Sequence, residues 1–394
     1  MSYIGSKPAD AVLETDDIAD GVVTSAKIAD GTITTADLSF TPVSNPFRNI
    51  IINGDMSIAQ RGTSASSITT SGFRTSDRFE VMVESIGTYT ITQDTDVPSG
   101  QGFSKSLKID CTTADASPAS SDELGIRTKF EGQNLQYLKK GTSSAESLTL
   151  SFWVKCSKTG NIQVNLRDLD NSRMISYTAT ISSANTWEKK TVTFAGDTTG
   201  SLDNDNSASF QLEWFLDSGS DYSSGTFSSS WTSFAGANRN VNGTLALADN
   251  TVNNFWITGV QLEAGTSASD FEFLPYDVNL NRCLRYFVTF NDSFYPTGGN
   301  QSPIGMGFYN NATTGIVCVN TKVPMRAYPS VSISNVSDFD SEPYDDVPTA
   351  ISIYSQGSSY VPMLTVTTPT RTTGDAYCLV MDTVGGYLHL SSEL

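Results

Sequence analysis

Charged residues and histidine are scarce in this sequence of 394 residues. Lys, Arg, Asp and Glu together make up 17% of the chain, and His389 is the sole histidine. One histidine beside the chain end is a poor base for a Ser-His-Asp or Cys-His nucleophile, so we interpret His389 as an exposed tail residue. No P-loop or GxGxxG motif opens a strand–helix–strand unit, which leaves nucleotide chemistry unsupported. These absences predict a protein that is not an enzyme.

Cysteines and long apolar runs are also few. The five cysteines are scattered and form no CxxC pair, which argues against a disulfide framework and against a zinc ribbon. So sparse a set favours synthesis in a reducing compartment. The first residues show neither the basic nor the apolar region of a signal peptide, and no apolar run approaches a membrane span. We therefore expect no signal peptide and no membrane insertion.

The chain is acidic along its whole length. Its 42 Asp and Glu residues against 24 Lys and Arg give a formal net charge of −18. No segment carries the basic patch that holds phosphate backbones, so we predict no nucleic-acid partner. Solubility, divalent-cation sites and a high-salt habitat are alternative reasons for the acidity. A glycosidase needs only two suitably spaced carboxylates. A chain this acidic always offers such a pair, and the acidic residues therefore do not distinguish a glycosidase from a non-enzymatic protein.

A ten-residue repeat lies in the N-terminal segment, residues 1–45. The tetrapeptide Ile-Ala-Asp-Gly stands at 18–21 and again at 28–31. Apolar residues recur at every fifth position, at Ile18, Val23, Ile28, Ile33 and Leu38. This spacing fits neither a regular helix nor a regular strand, and the segment cannot bury these side chains alone. It is either a disordered acidic arm or, as we favour, a trimerisation and attachment segment in which three copies wrap around a common axis.

Alternating apolar residues predict β-strands through residues 46–275. The clearest run is Ser147–Cys156, and similar runs separated by Gly, Asn and Ser turns follow it. The residues of this run that share one face are Leu148, Leu150, Phe152 and Val154. The pattern favours an antiparallel β-sandwich.

The last part of the chain, residues 276–394, changes pattern once. Leu280, Leu284 and Phe287 follow helical spacing and predict one short helix. Alternation then returns and predicts a second, smaller β-sandwich at the C-terminus. The predicted fold is therefore mostly β, with an extended N-terminal segment, two sandwiches and a single short helix between them.

Aromatic residues are the candidates for binding sugars, because their flat faces stack on sugar rings while nearby polar groups bind hydroxyls. Four tryptophans fall within strand patterns, where we favour core packing: Trp153, Trp187, Trp214 and Trp256. Tyr222 and Trp231 lie instead in the Ser- and Gly-rich stretch 217–243. These two are predicted either to bind a glycan or to contact a neighbouring subunit.

The C-terminal domain offers further candidates. Its tyrosines in loop-like contexts are Tyr295, Tyr309, Tyr344 and Tyr360, which we predict as receptor contacts. One segment, residues 338–348, is crowded with acidic residues, namely Asp338, Asp340, Glu342, Asp345 and Asp346. Carboxylates this close repel each other unless they are solvated or bridged by a cation such as calcium. A solvated loop and a calcium-assisted surface contact are the two interpretations.

Several stretches in their order resemble one family. NIIINGDMSIAQRG opens the series at Asn49, and LTLSFWVKCS and TWEKKTVTFAG supply its middle strands. VQLEAGTSASDFEFLPYDVNLNRCLRYF and VPMRAYPSVSIS close it, the latter at 323–334. Together they resemble phage tail fibre and receptor-binding proteins that carry a carbohydrate-binding-module-like jelly roll.

That resemblance implies a structural virion protein, made in the host cytoplasm and assembled as a homotrimer. Its N-terminus would dock on another tail protein (a tube, nozzle or adaptor), and its C-terminal tip would bind a cell-surface glycan or protein during adsorption. Related jelly rolls often use an early acidic residue to help hold a structural calcium ion, the one cofactor considered. Here the early segment offers Asp55, in an altered sequence context, and the late segment offers Glu263. A tail connector or decoration protein without receptor binding and a glycan depolymerase are the alternatives.

Overall fold

Antiparallel β-strands dominate the structure, which confirms the predicted fold class. The computed structural model describes residues 47–291, 302–383 and 385–394. Tyr295 and the apolar repeat residues lie outside the described residues, so their roles stay predictions. Those repeat residues are Ile18, Val23, Ile28, Ile33 and Leu38. Among the described residues, no helix is both long and apolar enough to cross a membrane.

Eleven strands form one continuous antiparallel sheet. They are β1 (Ser64–Phe73), β2 (Glu80–Asp94), β3 (Ser106–Thr113), β4 (Glu123–Glu131), β5 (Leu148–Cys156), β6 (Gly160–Asp168), β7 (Arg173–Ile181), β8 (Glu188–Phe194), β9 (Ala208–Ser218), β10 (Thr232–Ser233) and β11 (Asn254–Ala264). Their order is β10-β7-β6-β9-β4-β2-β3-β11-β5-β8, with β1 paired to β2. A one-turn helix, α1 (Ser220–Ser223), lies between β9 and β10.

The long strand β2 folds this sheet into two layers. Its first half, Glu80–Glu84, pairs with β4, and its second half, Thr88–Asp94, pairs with β3. Between the halves, Ser85 and Gly87 have φ angles of 53° and 77°. A Cβ on Gly87 would lie 2.5 Å from the Thr113 carbonyl oxygen. Because glycine alone adopts such a conformation without a clash, Gly87 fixes the position of the bend.

An apolar core fills the space between the two layers. The alternation predicted for β5 is confirmed, since Leu148 is 4% exposed and Phe152 is fully buried. Phe152 meets Trp214 of β9 edge to face across the core, with ring centroids 5.8 Å apart. Burying one such large apolar side chain contributes about 1.5–3 kcal/mol. Contact between the layers therefore stabilises the sandwich.

The predicted short helix is present as α2 (Tyr276–Leu284). Leu284 is buried in a second apolar core, and Leu280 packs against it. The prediction that Phe287 belongs to this helix is wrong, because the helix ends at Leu284 and Phe287 begins a strand. The Phe287 ring packs against His389 of a neighbouring strand instead. The apolar residues kept their helical spacing beyond the end of the helix because the helix and the strand that follows it each bury an apolar side.

Nine strands follow α2 and form the second sandwich. They are β12 (Phe287–Asn291), β13 (Ser302–Asn311), β14 (Thr314–Val319), β15 (Ser330–Ile333), β16 (Phe339–Glu342), β17 (Ala350–Ile353), β18 (Met363–Thr367), β19 (Ala376–Met381) and β20 (Tyr387–Ser391). One sheet has the order β12-β20-β15 and the other β16-β19-β13-β14-β18-β17. Leu388 of the first sheet and Leu379 of the second share one core.

A buried carboxylate at the end of β4 joins the second sandwich to the first. Glu131 is fully buried and accepts hydrogen bonds from Arg285 Nε at 2.8 Å and Arg285 Nη2 at 2.6 Å. Tyr286 Oη and Gln133 Nε2 also donate to this carboxylate. Burial alone would raise the pKa of Glu131, but the hydrogen bonds from Arg285 and Tyr286 lower it. Because Arg285 follows α2 directly, this cluster fixes where the second sandwich begins.

Replacing this carboxylate is predicted to destabilise the protein strongly. Glu131→Gln removes the buried partner of the Arg285 guanidinium, which is itself 31% exposed, and we expect the loss of these charge-assisted hydrogen bonds to cost about 1–3 kcal/mol of unfolding free energy. The measurement is the urea midpoint followed by circular dichroism. The matched control is Glu146→Gln, whose carboxylate is 39% exposed beside Lys139 and is expected to contribute less than about 1 kcal/mol. Equal shifts for the two variants would contradict the prediction.

His389 is not the exposed tail residue that the sequence suggested. It lies in β20, the central strand of its sheet, paired with Thr289 of β12 and Ser332 of β15. Its imidazole stacks on Tyr387, with ring centroids 4.1 Å apart, and contacts Phe287 at 4.9 Å. Burial, with a smaller effect of the Arg61 charge, lowers the pKa of His389 from 6.5 to about 4.

The low pKa of His389 predicts an acid-dependent loss of stability. Because the folded-state pKa of about 4 lies below the unfolded value of 6.5, the unfolded chain binds the proton more tightly. This residue's contribution to stability is therefore complete above pH 6.5 and is lost as the pH falls towards 4. NMR titration of the imidazole is unambiguous because the chain has one histidine. A folded-state midpoint equal to that in urea would contradict the prediction.

Candidate functional site

Three tryptophans lie on the outer face of the layer formed by β2, β3, β11, β5 and β8. Trp153 follows the inward Phe152 on β5, and Trp256 follows the inward Phe255 on β11. Trp187 directly precedes β8. Successive side chains of a strand point to opposite faces, so the burial of these phenylalanines places Trp153 and Trp256 outside the core. Trp153 and Trp187 are half-buried, and Trp256 is 9% exposed.

Lysines alternate with the tryptophans across neighbouring strands. Trp256 pairs with Lys108 of β3 on one side and with Lys155 of β5 on the other. Lys155 Nζ lies 4.6 Å from the centre of the Trp256 ring and 5.9 Å from that of Trp187. Lys108 Nζ lies 5.3 Å from the Trp256 ring. The ammonium groups lie within the distance at which cation–π attraction operates.

Two aspartates hold the indole rings in place. Trp256 Nε1 donates to Asp94 Oδ2 at 3.0 Å, and Trp187 Nε1 donates to Asp96 Oδ1 at 2.9 Å. The other Asp96 oxygen pairs with Lys155. Partial burial alone would raise the pKa of Asp94, but the Trp256 hydrogen bond and backbone N–H groups lower it. We call Trp153, Trp187, Trp256, Lys155, Asp94 and Asp96 the tryptophan patch.

A glycine makes room beside Trp153. Gly259 of β11 has a φ angle of 61°, and a Cβ there would lie 3.0 Å from Trp153 Cδ1 and 2.6 Å from Phe103. Phe103 in turn contacts Phe271 and Phe273, with ring centroids 5.0 and 5.1 Å away. Phe273 is 50% exposed. Aromatic surface thus continues from the tryptophan patch to the segment that precedes α2.

The core-packing prediction for the strand tryptophans is right for Trp214 and wrong for Trp153 and Trp187. Trp214 is fully buried in the core, and Trp153 and Trp187 are half-buried outside it. Trp256 is buried as predicted, but on the outer face and not in the core between the layers. The alternation of LTLSFWVKC already assigns Phe152 and Val154 to the inner face, so it places Trp153 between them on the outer one. The alternation that predicts the strand therefore also predicts an outward Trp153.

The patch combines flat apolar rings with fixed charges of both signs. Such a surface can stack on the apolar face of a sugar ring while carboxylates and ammonium groups bind its hydroxyls. The patch is therefore suited to binding.

Burial raises the thiol pKa of Cys111 to about 11 and also raises those of Cys156, Cys283 and Cys378. These four thiols are therefore not favoured as nucleophiles.

The outer face of the opposite layer is covered by the segment 224–243. Gln163 Nε2 donates to the Asn238 carbonyl oxygen at 2.7 Å, and Asn165 Nδ2 donates to that of Arg239 at 2.8 Å. The Arg239 guanidinium donates to both oxygens of buried Glu213, at 3.1 and 2.9 Å. Burial would raise the pKa of Glu213, but the Arg239 charge lowers it. The polar side chains of this face are thus satisfied by the protein's own loop.

The two aromatic residues predicted in this loop make contacts within the chain. The Tyr222 ring lies 5.7 Å from Phe215 and 5.1 Å from the Arg239 guanidinium. Trp231 stacks on Phe210 at 6.2 Å, and its Nε1 donates to the Ala195 carbonyl oxygen at 2.6 Å. Both residues are half-buried. Their predicted glycan role stays a prediction.

The predicted tyrosines of the second sandwich differ in exposure. The prediction that Tyr309 lies in a loop is wrong, because it is fully buried on β13 and stacks on Tyr377 at 4.6 Å. Tyr344 is half-buried and lies 6.0 Å from Tyr309. Tyr360 is 73% exposed and can meet a partner. A strand pattern interrupted by Gly305 and Gly307 made Tyr309 resemble a loop residue.

The predicted calcium ligands of the first sandwich have protein partners. Asp55 Oδ1 accepts from Ser57 Oγ at 3.0 Å and from Asn279 Nδ2 at 3.2 Å. Glu263 accepts from the backbone N–H and the hydroxyl of Ser269 at 2.8 and 2.7 Å. Over residues 47–291, 302–383 and 385–394, no three His, Cys, Asp or Glu side chains are grouped to hold a metal ion. Calcium stays a prediction.

The acidic segment 338–348 is partly regular structure. Asp340 lies in β16 and is 6% exposed, and burial, followed by the charge on Asp345, raises its pKa. Asp338 ends a short 3₁₀ turn that precedes this strand. The interpretation of the whole segment as a solvated loop is therefore wrong, because apolar Phe339 anchors β16 in the second core.

A lysine ammonium occupies an oxygen-lined cage in the first sandwich. Lys140 Nζ lies 2.6 Å from Asp168 Oδ2 and 3.2 Å from Asp197 Oδ2. It also donates to the carbonyl oxygens of Thr199 at 2.7 Å and Gly200 at 2.8 Å. The side chains of the lysine and both aspartates are at most 4% exposed. This charge neutralises two buried carboxylates where the loops after β6 and β8 meet.

Removing the caged ammonium is predicted to destabilise the first sandwich. Lys140→Met leaves Asp168 buried without its ion-pair partner, while Asp197 keeps the Arg173 guanidinium, and we expect this change to cost about 3–5 kcal/mol. The neighbouring Lys139→Met is the matched control, since Lys139 is 54% exposed and its ion pair is expected to contribute less than about 1 kcal/mol. Urea unfolding measures both. A Lys140→Met midpoint equal to that of the control would show that the cage does not stabilise the fold.

No protein-family model and no curated protein sequence match the chain. Solved structures with a similar arrangement include the enzymatically active domain of Bacteriophage CBA120 tailspike protein 4, with 14% identity over 56% of this chain and 22% of that chain and a TM-score of 0.30. A putative sugar-binding protein from Bacteroides thetaiotaomicron has 12% identity over 55% of this chain and 99% of that chain, with a TM-score of 0.29. The C-terminal family 22 carbohydrate-binding module of Clostridium thermocellum Xyn10B has 11% identity over 57% and 100%, with a TM-score of 0.28. We draw no conclusion about ligand or activity from similarity at this level.

Proposed function

We propose that this chain is a non-enzymatic virion protein, a tail fibre or tail-tip protein that binds a cell-surface glycan during adsorption. The observation that carries the proposal is the tryptophan patch. Trp187 presents a half-buried ring beside the carboxylate of Asp96, which is 39% exposed, and Trp153 is half-buried on the same outer face. Surfaces that bind sugars need this combination of flat apolar area and fixed polar groups. The order of motifs that resemble tail fibre proteins supports the setting on a phage tail.

Rigidity of the patch favours binding. Each indole N–H of Trp187 and Trp256 is held by an aspartate, so the rings lose little conformational freedom when a ligand arrives. The covered face of the opposite layer offers no comparable open aromatic surface, because Arg239 and its loop already occupy it. The patch is therefore the part of the described chain best suited to a glycan.

Weak single contacts suffice if copies act together. We propose that the chain is a homotrimer whose N-terminal segment docks on another tail protein, as the apolar repeat suggests. Three patches on one fibre, and several fibres on one particle, raise the effective concentration at the cell surface and turn weak binding into firm attachment. This mechanism requires no bond to be broken.

The test is glycan-array binding of the full chain, wild type and Trp153→Ala/Trp187→Ala. Loss of the stacking faces is expected to weaken binding about tenfold or more, which corresponds to about 1.4 kcal/mol. The matched control is Tyr177→Ala, an aromatic residue of β7 in the opposite layer that is 38% exposed. Circular dichroism checks that all variants fold.

Two outcomes would contradict the proposal. Equal glycan binding by the wild type and the patch variant would show that the patch does not bind the glycan. If the wild type bound no glycan at all, the proposed ligand class would be wrong. Incubation with a host polysaccharide tests the non-enzymatic part. A fall in polymer size that is lost with a particular pair of carboxylates would show hydrolysis instead.

A further inference from the structure

Five strands of the second sandwich carry no charged residue at all. They are β13, β14, β17, β18 and β19, with the sequences SPIGMGFYNN, TGIVCV, AISI, MLTVT and AYCLVM. They are consecutive in the six-stranded sheet, whose remaining edge strand β16 contributes Asp340 and Glu342. In a chain with a net charge of −18, so large a charge-free area is not what solubility alone would select.

Large apolar side chains point outward from the middle of this sheet. In β13 the glycines alternate with Met306 and Phe308, which are 64% and 47% exposed. Met306 pairs with Cys318 of β14 and Cys378 of β19, and Phe308 pairs with Ile316 of β14. Cys318 is exposed, Cys378 is half-buried, and Ile316 is 5% exposed beside Phe308. We call Met306, Phe308, Ile316, Cys318 and Cys378 the apolar sheet face.

The opposite side of the same strands is already used. Val317, Leu379 and Tyr377 point into the second core and are at most 1% exposed. The sequence Gly305-Met306-Gly307-Phe308 therefore directs its smallest residues inward and its largest apolar residues outward. Contiguous exposed apolar surface of this kind marks an interaction site. Because the apolar sheet face is central in its sheet, its backbone groups are paired, and only side chains remain for contact.

We propose that the apolar sheet face is an interface between copies of this chain. Two copies, each with a net charge of −18, repel one another over most of their surfaces. A contact that buried carboxylates would add to this repulsion. The five residues of the apolar sheet face are uncharged, and among their described cross-strand partners only Glu342 of the edge strand β16, opposite Cys378, carries a carboxylate. A basic partner would find no opposite charge on the apolar sheet face. Electrostatic attraction would therefore favour binding of such a partner elsewhere on the acidic surface. Another copy gains apolar burial without bringing like charges together.

The interface is independent of the glycan proposal, because it lies on the second sandwich and the tryptophan patch lies on the first. It also concerns residues other than the N-terminal repeat. The exposed Tyr360 lies outside the five residues of the interface and remains available to a receptor.

The experiment measures the mass of the full chain in solution together with the labelling of Cys318. We compare the wild type with Met306→Asp/Phe308→Asp, which places two like charges on the apolar sheet face. The matched control is Val252→Asp, since Val252 is 68% exposed on the first sandwich. Sedimentation gives the mass relative to the 42.3 kDa of one chain. A maleimide followed by peptide mass spectrometry gives the labelling rate of Cys318, and circular dichroism confirms folding.

We expect the wild type and Val252→Asp to be oligomers in which Cys318 is protected. Met306→Asp/Phe308→Asp is expected to lose this protection, and to lose the oligomer mass as well unless the N-terminal repeat maintains it. Dilution of the wild type provides a test without a mutation, because Cys318 should become reactive as the oligomer dissociates.

Three results would overturn the proposal. The first is a monomeric wild type, whether or not Cys318 is protected. Protection of Cys318 in a monomer would mean that the same chain, and not a second copy, covers this face. The second is a wild-type oligomer in which Cys318 reacts as fast as it does in the double variant. The third is protection that Val252→Asp removes as fully as the double variant does, because the effect would then not belong to this face.

Discussion

The arrangement of the two sandwiches depends on the hydrogen bonds that the buried Glu131 carboxylate accepts. Glu131 ends β4 of the first sandwich and accepts hydrogen bonds from Arg285 and Tyr286, the two residues between α2 and β12. A buried carboxylate is tolerated only when its oxygens are fully partnered. The direction of the chain as it enters the second sandwich is thereby set, and the chain end returns to the same region, where Lys129 Nζ donates to the Leu394 carbonyl oxygen at 2.9 Å.

The first sandwich treats its two outer faces in opposite ways. One is closed by the segment 224–243, whose Arg239 pairs with Glu213 and whose backbone carbonyls satisfy Gln163 and Asn165. The other keeps the tryptophan patch at the surface, with each indole N–H held by an aspartate. Buried polar groups must find partners, and the loop provides them on one side. Aromatic rings need no such partners on their faces, so the other side can remain open.

Charge placement separates the two sandwiches as well. In the first, cations are held by carboxylates within the structure, as Lys140 is by Asp168 and Asp197. In the second, five neighbouring strands lack charge and present Met306 and Phe308. A strongly acidic chain can assemble only through surfaces that avoid like-charge contact. The proposed glycan binding on the first sandwich and the proposed self-association on the second would use different surfaces and would not compete.

Local sequence patterns by themselves determined the fold class, the two sandwiches and the helix between them, because strand and helix periodicities are properties of neighbouring residues. The inward face of β5 was likewise readable from Leu148, Phe152 and Val154. The same alternation already assigned Trp153 outward, although its significance emerged only when β11 placed Trp256 opposite Lys155 on the same face of the sheet. Only the tertiary structure showed that His389 is partly buried, that Tyr309 belongs to the apolar core and that the Lys140 ammonium is surrounded by oxygen atoms. Each of these depends on residues distant in the chain, and no local pattern records which distant strand will become a neighbour.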